Sequence, residues 1–317
     1  MTSIITITLN PAIDKSTSIT SLAAGKKLRC APPCFEPGGG GVNVSRAIHK
    51  LGGETTAIYF AGGYTGEFYK QLLDDEKISS VAVKTRNHLR ENLIVFDRSS
   101  GMQYRFTMPG PSIYEQEWKE ILKTIKEHDR ADFMVVSGSL PPGVPNDILA
   151  NIAVIAKRNN IKLIVDSSGK ALQNALTEEV YLIKPNLQEL AELTGKNLAS
   201  MDEAMNAAKT IVDRGKSKII VVSLAEEGAL LVTETLSKHL PAPKVKIKST
   251  VGAGDSMLAG IIQSLSKNKT IEEAVQFGVL CGTAATMNTG TSLCDLKTVE
   301  SLLSNSKKAK SQTNLKV

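Results

Sequence analysis

Residues Thr250-Val251-Gly252-Ala253-Gly254-Asp255-Ser256 set two glycines and an acid between an apolar, β-leaning run and a helix-like segment, Met257 to Leu265. Glycines let a backbone approach an anion closely. The first free N–H groups of the helix then face that anion, with the positive end of the dipole behind them. A carboxylate at Asp255 can meet a hydroxyl that faces a bound phosphate, which is the chemistry of phosphoryl transfer. A helix start also favours the ionised carboxylate, so Asp255 is expected to be a weak base. A capped turn without function would look much the same locally.

A second glycine run, Glu36-Pro37-Gly38-Gly39-Gly40-Gly41-Val42-Asn43-Val44-Ser45-Arg46-Ala47-Ile48, opens an apolar-periodic helix that Leu51-Gly52-Gly53 closes. Flexible linkers are flanked by Ser and other polar residues rather than by a helix start. Backbone without Cβ atoms can lie against a ligand, and Asn43 can bond a sugar hydroxyl. The glycines at 38–41 are read as lacking the strand before them and the acid after them that a dinucleotide fingerprint requires, which weighs against a dehydrogenase. Asp14 follows a first strand and reads as a turn aspartate or a ligand-facing acid. In Lys184-Pro185-Asn186-Leu187-Gln188-Glu189, Asn186 and Glu189 stand at capping-box spacing. Beside a phosphate, Glu189 could instead orient Mg²⁺ through water, and Lys184 could meet nucleotide phosphates. Arg90 and Arg105 are either surface arginines or clamps for a phosphate ester.

The elements that must hold these residues alternate. Met1 to Leu9, Ala131 to Ser137, Lys162 to Asp166, Tyr181 to Lys184 and Lys218 to Ser223 read as strands, and Asn146–Asn159 and Met201–Arg214 as amphipathic helices. Continuous Ile/Val runs between such helices predict an α/β fold, a mostly parallel central sheet with helices on both faces. Ligands of such folds bind beyond the carboxyl ends of the strands, where Asp166, Lys184, Ser223 and Asp255 collect. Short alternating segments near residues 16–35 and 90–109, with a turn at Arg98-Ser99-Ser100-Gly101, predict a small β-sheet lid that must cover a ligand, a second subunit or both. The expected division is residues 1–15, 36–89 and 110–305 for the α/β domain, 16–35 and 90–109 for the lid, and 306–317 for a solvated, flexible tail.

The 317 residues are 42% hydrophobic, enough for a large core, and no run is long and apolar enough for a membrane span. The N-terminus lacks the basic start of a signal peptide, so a cytoplasmic protein is expected. Part of the net charge of +6 lies in the tail at Lys307, Lys308, Lys310 and Lys316, and aromatics are only 4%, which argues against nucleic acid. Cys30, Cys34, Cys281 and Cys294 are too scattered for a disulfide framework and read as reduced packing residues.

The paired glycine motifs, Asn186-x-x-Glu189, Gly138-Ser139-Leu140-Pro141-Pro142-Gly143 and Val165-Asp166-Ser167-Ser168-Gly169 resemble the ribokinase-like sugar kinase family from about residue 4 to about residue 300. Within it they are most similar to the minor-isozyme type of bacterial 6-phosphofructokinase. The resemblance implies ATP-dependent phosphorylation of fructose 6-phosphate, a glycolytic step. It places Asp14, Gly39, Asn43, Arg90, Arg105 and Ser139 on the sugar phosphate. Lys184, Asn186, Ser223 and Gly228 would lie along the nucleotide, with Glu189 on Mg²⁺ through water. Gly252, Ala253 and Gly254 would form the anion hole, with Asp255 as base. A K⁺ site would use backbone carbonyls of Ser249, Val251, Ala285, Asn288, Gly290 and Ser292, the last standing where relatives often carry Arg. Related fructose-1-phosphate and tagatose-6-phosphate kinases usually carry Lys where this chain has Gly40. A homodimer through the lid and a second, regulatory ATP near Lys27 are implied on the same ground. A kinase for another sugar phosphate, or a sensor that binds without turnover, is the alternative.

Overall fold

Strands that are apolar on both sides need cover on both sides. Successive residues of the central strands do point into two different cores. Met134 and Val136, with Leu163 and Val165, pack against Ile121, Ile152 and Leu172, while Phe133, Val135 and Ile164 pack against Val44, Leu258, Ile261 and Val279. Helices therefore cover both faces, as expected. The computed structural model describes residues 2–313, with side chains to residue 305. The tail expected over 306–317 lies outside the described residues, save for the backbone of the helix Leu296–Thr313.

Among the described residues, the strands in chain order are β1 (Ile4–Thr8), β2 (Ala12–Ile19), β3 (Cys34–Gly38), β4 (Thr56–Gly62), β5 (Ser79–Thr85), β6 (Arg90–Asp97) and β7 (Gln103–Phe106). They continue with β8 (Phe133–Ser137), β9 (Lys162–Asp166), β10 (Val180–Ile183), β11 (Ser217–Ser223), β12 (Ala229–Thr233) and β13 (Ser237–Leu240). The large sheet runs β13-β12-β11-β10-β9-β8-β1-β4-β5. It is parallel from β5 to β11 and ends in the antiparallel pair β12 and β13. The carboxyl ends of β1, β8, β9, β10 and β11 thus share one edge, and there the chain turns at Asn10, Gly138, Ser167, Lys184 and Leu224.

The small sheet runs β3-β2-β6-β7, with β2 and β6 parallel and the outer pairs antiparallel. It reaches further than the sequence suggests: β2 starts at Ala12 and β3 ends at Gly38, so Asp14 lies within a lid strand. The run Asp14-Lys15-Ser16-Thr17-Ser18 is polar on both sides and gives no alternation to read. The glycines at 38–41 also follow a strand after all. That strand is antiparallel to β2 rather than part of a parallel βαβ unit, so the dinucleotide context is still missing. Cys281 and Cys294 are buried as expected, but Cys30 and Cys34 are exposed, so the packing expectation holds for one pair alone.

The helices Ala253–Ser266 and Ile271–Thr286 lie against each other through glycine. A Cβ on Gly278 would sit 2.7 Å from the Met257 carbonyl oxygen, and one on Gly260 would meet Cys281. Overpacking of a close contact typically costs about 1–3 kcal/mol. Gly278→Ala should lower stability by that amount in urea unfolding, and an unchanged midpoint would show that the helices separate freely.

Candidate active site

At the carboxyl edge of the large sheet, Gly40, Ser137, Gly138, Ser139, Asp166, Ser167, Ser168, Glu189 and Asp255 line a cleft of about 250 Å³. A larger hollow of about 480 Å³ opens at the opposite edge beside Ser3, His49, Glu54 and Lys77. Its charged residues are all exposed and make no cluster, so the smaller cleft is the one built for chemistry.

Gly252 caps the helix Ala253–Ser266 in the left-handed region (φ 72°). A Cβ there would also press on Leu293. The helix begins earlier than the Met257 start read from the sequence, so Asp255 sits inside its first turn. The first intrahelical bond runs from Ser256 N to Gly252 O (2.9 Å), which leaves the amides of Gly254 and Asp255 at the open end. Lys184 lies beside this end: its Nζ would be 3.4 Å from a Cβ on Gly254. The ammonium is buried and pairs with Asp166 Oδ1 at 3.1 Å. Burial, the largest single influence, would lower Lys184, but Asp166, with Asp255 and Glu189, outweighs it and raises the lysine.

Asp255 is half-buried and accepts a 2.9 Å hydrogen bond at Oδ2 from Asn43 Nδ2. Burial pushes its carboxyl up to about 6, aided by the charge of Asp166 and opposed by Asn43 and Lys184. The expectation of a weak base held ionised by the helix end is corrected here. Desolvation and a second carboxylate win, and the group is poised near neutrality. Asn43 faces Asp255 rather than open cleft, a role that its sugar-binding reading did not include.

The lid side is built on β2 and β6. Asp14 accepts a hydrogen bond from Asn92 (2.8 Å), and burial raises its carboxyl with help from Glu36. Arg90 donates to the carbonyls of Asn10 (2.9 Å) and Met108 (3.1 Å), and its buried Nε has no partner among the described residues. Burial lowers the arginine, and Asp14 raises it. The Asn10 side chain donates to Ser139 Oγ (3.0 Å), so one residue after β1 meets Arg90 through its carbonyl and Ser139 through its amide. Gly39 begins the helix Gly40–Lys50 at φ 119°, with Thr8 where its Cβ would go. Arg105 stands apart, exposed on the outer strand β7. For Asp166 the sequence signals only a place at a strand end, and for Asn10 only a place after one.

On the nucleotide side, the capping box is real. Asn186 Oδ1 accepts from Glu189 N, and Glu189 Oε2 accepts from Asn186 N, both at 2.8 Å. Glu189 still lines the cleft, and burial raises its carboxyl. Ser223 bridges to Asn186, and the turn to Gly228 (φ 96°) closes with Leu224 N on Gly228 O at 2.8 Å. Ser249 Oγ donates to Gly290 O (2.7 Å), and Asn288 Nδ2 donates to Leu293 O (3.0 Å), so the loop holding Ser249 and Val251 is tied to the loop holding Asn288, Gly290 and Ser292, with Ala285 in the last turn of the helix before it. Among the described residues, no three His, Cys, Asp or Glu side chains form a metal cage.

The family model of pfkB family carbohydrate kinases matches residues 3–298. The chain belongs to that family. This pfkB kinase is 45% identical over 295 residues to ATP-dependent 6-phosphofructokinase isozyme 2 of Escherichia coli K12, covering 93% of this chain and 96% of the relative. It superposes on phosphofructokinase-2 from Escherichia coli in complex with potassium with a TM-score of 0.93, at 43% identity over 96% of this chain and 99% of that one. The same enzyme in complex with fructose-6-phosphate gives 0.91 at 42% identity, with the same coverage. The ribokinase of Thermotoga maritima, 23% identical with a TM-score of 0.75 and covering 96% of this chain and all of that one, shares the fold.

The raised carboxyl of Asp255 has a consequence for stability. Its folded pKa exceeds the ordinary 3.8, so the ionised group opposes folding fully above about pH 6, and the penalty shrinks as pH falls and is gone below 3.8, where both states are protonated. In the pfkB kinase, Asp255→Asn should raise Tm at pH 8, with the gain shrinking as pH falls through 6. A gain independent of pH would contradict the shift.

Proposed function

We propose that this pfkB kinase transfers the terminal phosphoryl group of ATP to fructose 6-phosphate, giving fructose 1,6-bisphosphate. The observation that carries the reading is Asp255 in the first turn of a glycine-capped helix, with a carboxyl near 6 and open amides beside it. The 45% identical relative named as an ATP-dependent 6-phosphofructokinase supports the choice of substrate.

In this mechanism the sugar lies between the lid strands and the cleft. Asp14, Gly39 and Ser139 meet its hydroxyls, Asn43 holds Asp255 toward the attacking hydroxyl, and Arg90 grips its phosphate, with Arg105 as a second clamp from the outer strand. ATP lies along Lys184, Asn186, Ser223 and Gly228. Asp255 takes the proton of the attacking hydroxyl, with a carboxyl close enough to neutrality to accept it at physiological pH. The transition state of phosphoryl transfer is loose, so the protein's work is positioning and charge stabilisation. The Gly252–Gly254 amides and the Lys184 ammonium supply that charge. Mg²⁺ would come with the nucleotide, held by Glu189 through water, which suits a site without a protein cage. K⁺ would sit on the carbonyls of the 249–251 and 285–292 loops, where it would add positive potential beneath the anion hole.

Gly40 supports fructose 6-phosphate over fructose 1-phosphate or tagatose 6-phosphate. A Cβ there would lie 2.8 Å from the Ser137 carbonyl carbon, so the lysine of those related kinases has no room without a shift of β8. Leu22, Phe96, Met102, Phe106 and Met108 are exposed on or beside the small sheet, and a second copy of the chain would cover them as a homodimer. No helix among the described residues is long and apolar enough to cross a membrane, and the proposed site of action is the cytoplasm.

ADP release from Mg-ATP with fructose 6-phosphate, fructose 1-phosphate, tagatose 6-phosphate and ribose, with and without K⁺, tests the reading. Selective turnover of fructose 6-phosphate is expected, and Asp255→Asn should cost on the order of 10²–10⁴ in kcat. Turnover of another sugar would move the substrate, and binding without turnover would make the protein a sensor. Arg90→Ala should raise KM for the sugar phosphate about 10- to 10²-fold, and an unchanged preference over free fructose would remove Arg90 from the phosphate.

A further inference from the structure

Arg46 is a fully buried arginine one helical turn beyond Asn43, and its guanidinium has all five N–H groups engaged. Nε donates to Glu76 Oε2 (2.7 Å), and one terminal nitrogen donates to Glu76 Oε1 (2.5 Å) and Glu36 Oε1 (3.2 Å). The other donates to the Pro37 carbonyl (3.0 Å) and to Asn43 Oδ1 (3.4 Å). Glu36 in turn accepts from the Thr291 hydroxyl, in the loop that packs beneath Gly252.

The chemistry of the donor decides what Asn43 does. A guanidinium can only donate, so the end of the Asn43 amide that faces it must be the oxygen. The NH₂ end is then the one that faces Asp255, and it is 2.9 Å from Oδ2. We propose that Arg46 is a positioning residue of this kinase, acting through Asn43: by holding the amide in one orientation it makes Asn43 a donor to Asp255. The inference rests on the reading of Asp255 as the base.

A donor favours the carboxylate, whereas an amide turned the other way would offer its oxygen to the protonated acid. Arg46 therefore keeps Asp255 from rising further under the burial and the Asp166 charge that already raise it. The other charges facing Asp255 are Lys184 after β10 and Asp14 on β2, with Glu189 lining the same cleft. Those facing Arg46 are Glu36 on β3, Glu76 after the helix Gly63–Asp75, and Asp14, with Tyr69 beside them.

A double-mutant cycle separates the relay from a purely structural role. Arg46→Met should lower kcat on the order of 10-fold or more when Asn43 is present, and less than about threefold in an Asn43→Ala background, with KM for ATP unchanged in both. The acid limb of kcat/KM should move to higher pH in the single variant and not in the double. Equal losses in both backgrounds, or an unmoved limb, overturn the proposal. If Arg46→Met does not fold, Arg46→Lys carries the same cycle, because one ammonium cannot replace the planar fork. A parent enzyme that turns over no sugar would remove the base reading itself, whereas additive losses in an active parent would remove only the relay.

Discussion

A carboxylate kept out of water at the start of a helix is the constraint around which this molecule is arranged. Left to burial and to Asp166, Asp255 would be neutral and useless as a base. Left to the helix end, Asn43 and Lys184, it would be a bare anion with little affinity for a proton. A carboxyl raised to about 6 reflects both sets of groups acting at once. They come from separate elements, and only a parallel sheet with its carboxyl ends on one edge brings them together. Lys184 and Asp166 enter from adjacent strands, Asn43 from the helix that follows the lid, and Asp255 from a helix more than two hundred residues along the chain.

Much of the scaffold was legible in the sequence because the forces that make it are local. Short, β-branched apolar runs such as Met134-Val135-Val136 and Leu163-Ile164-Val165, closed by Ser and Gly, read as two-sided strands, and their ends point to the cleft. Asn186 and Glu189 announced a capping box by spacing alone, and the box is there. What escaped was whatever depends on packing between distant segments. Asp14 hides in a polar strand whose partners are Glu36 and Asn92, and no pattern in its own neighbourhood could show that. The protonation balance of Asp255 was read backwards from the helix end because desolvation and Asp166 appear only once the chain has folded. Arg46 was visible only as one basic residue inside a glycine motif.

The glycines, too, divide by what stands against them. Gly252 needs its left-handed turn and the space beside Leu293, so the open end of the helix is fixed by backbone geometry. Gly254 has an ordinary conformation and faces the Lys184 ammonium, so its lack of a side chain serves approach of charge to charge rather than a turn. The motif is one string of letters with two physical reasons behind it.

The lid is stitched from segments far apart in the chain, since the eight-residue parallel pairing of β2 with β6 joins Asp14 to Asn92 across 78 positions. Closing so long a loop is entropically uphill until β4 and β5 have docked on β1. The small sheet is therefore expected to assemble late and open first, with its backbone amides exchanging with solvent ahead of those of β8 and β9. The proposed substrate would then lie beneath the most labile unit of the fold.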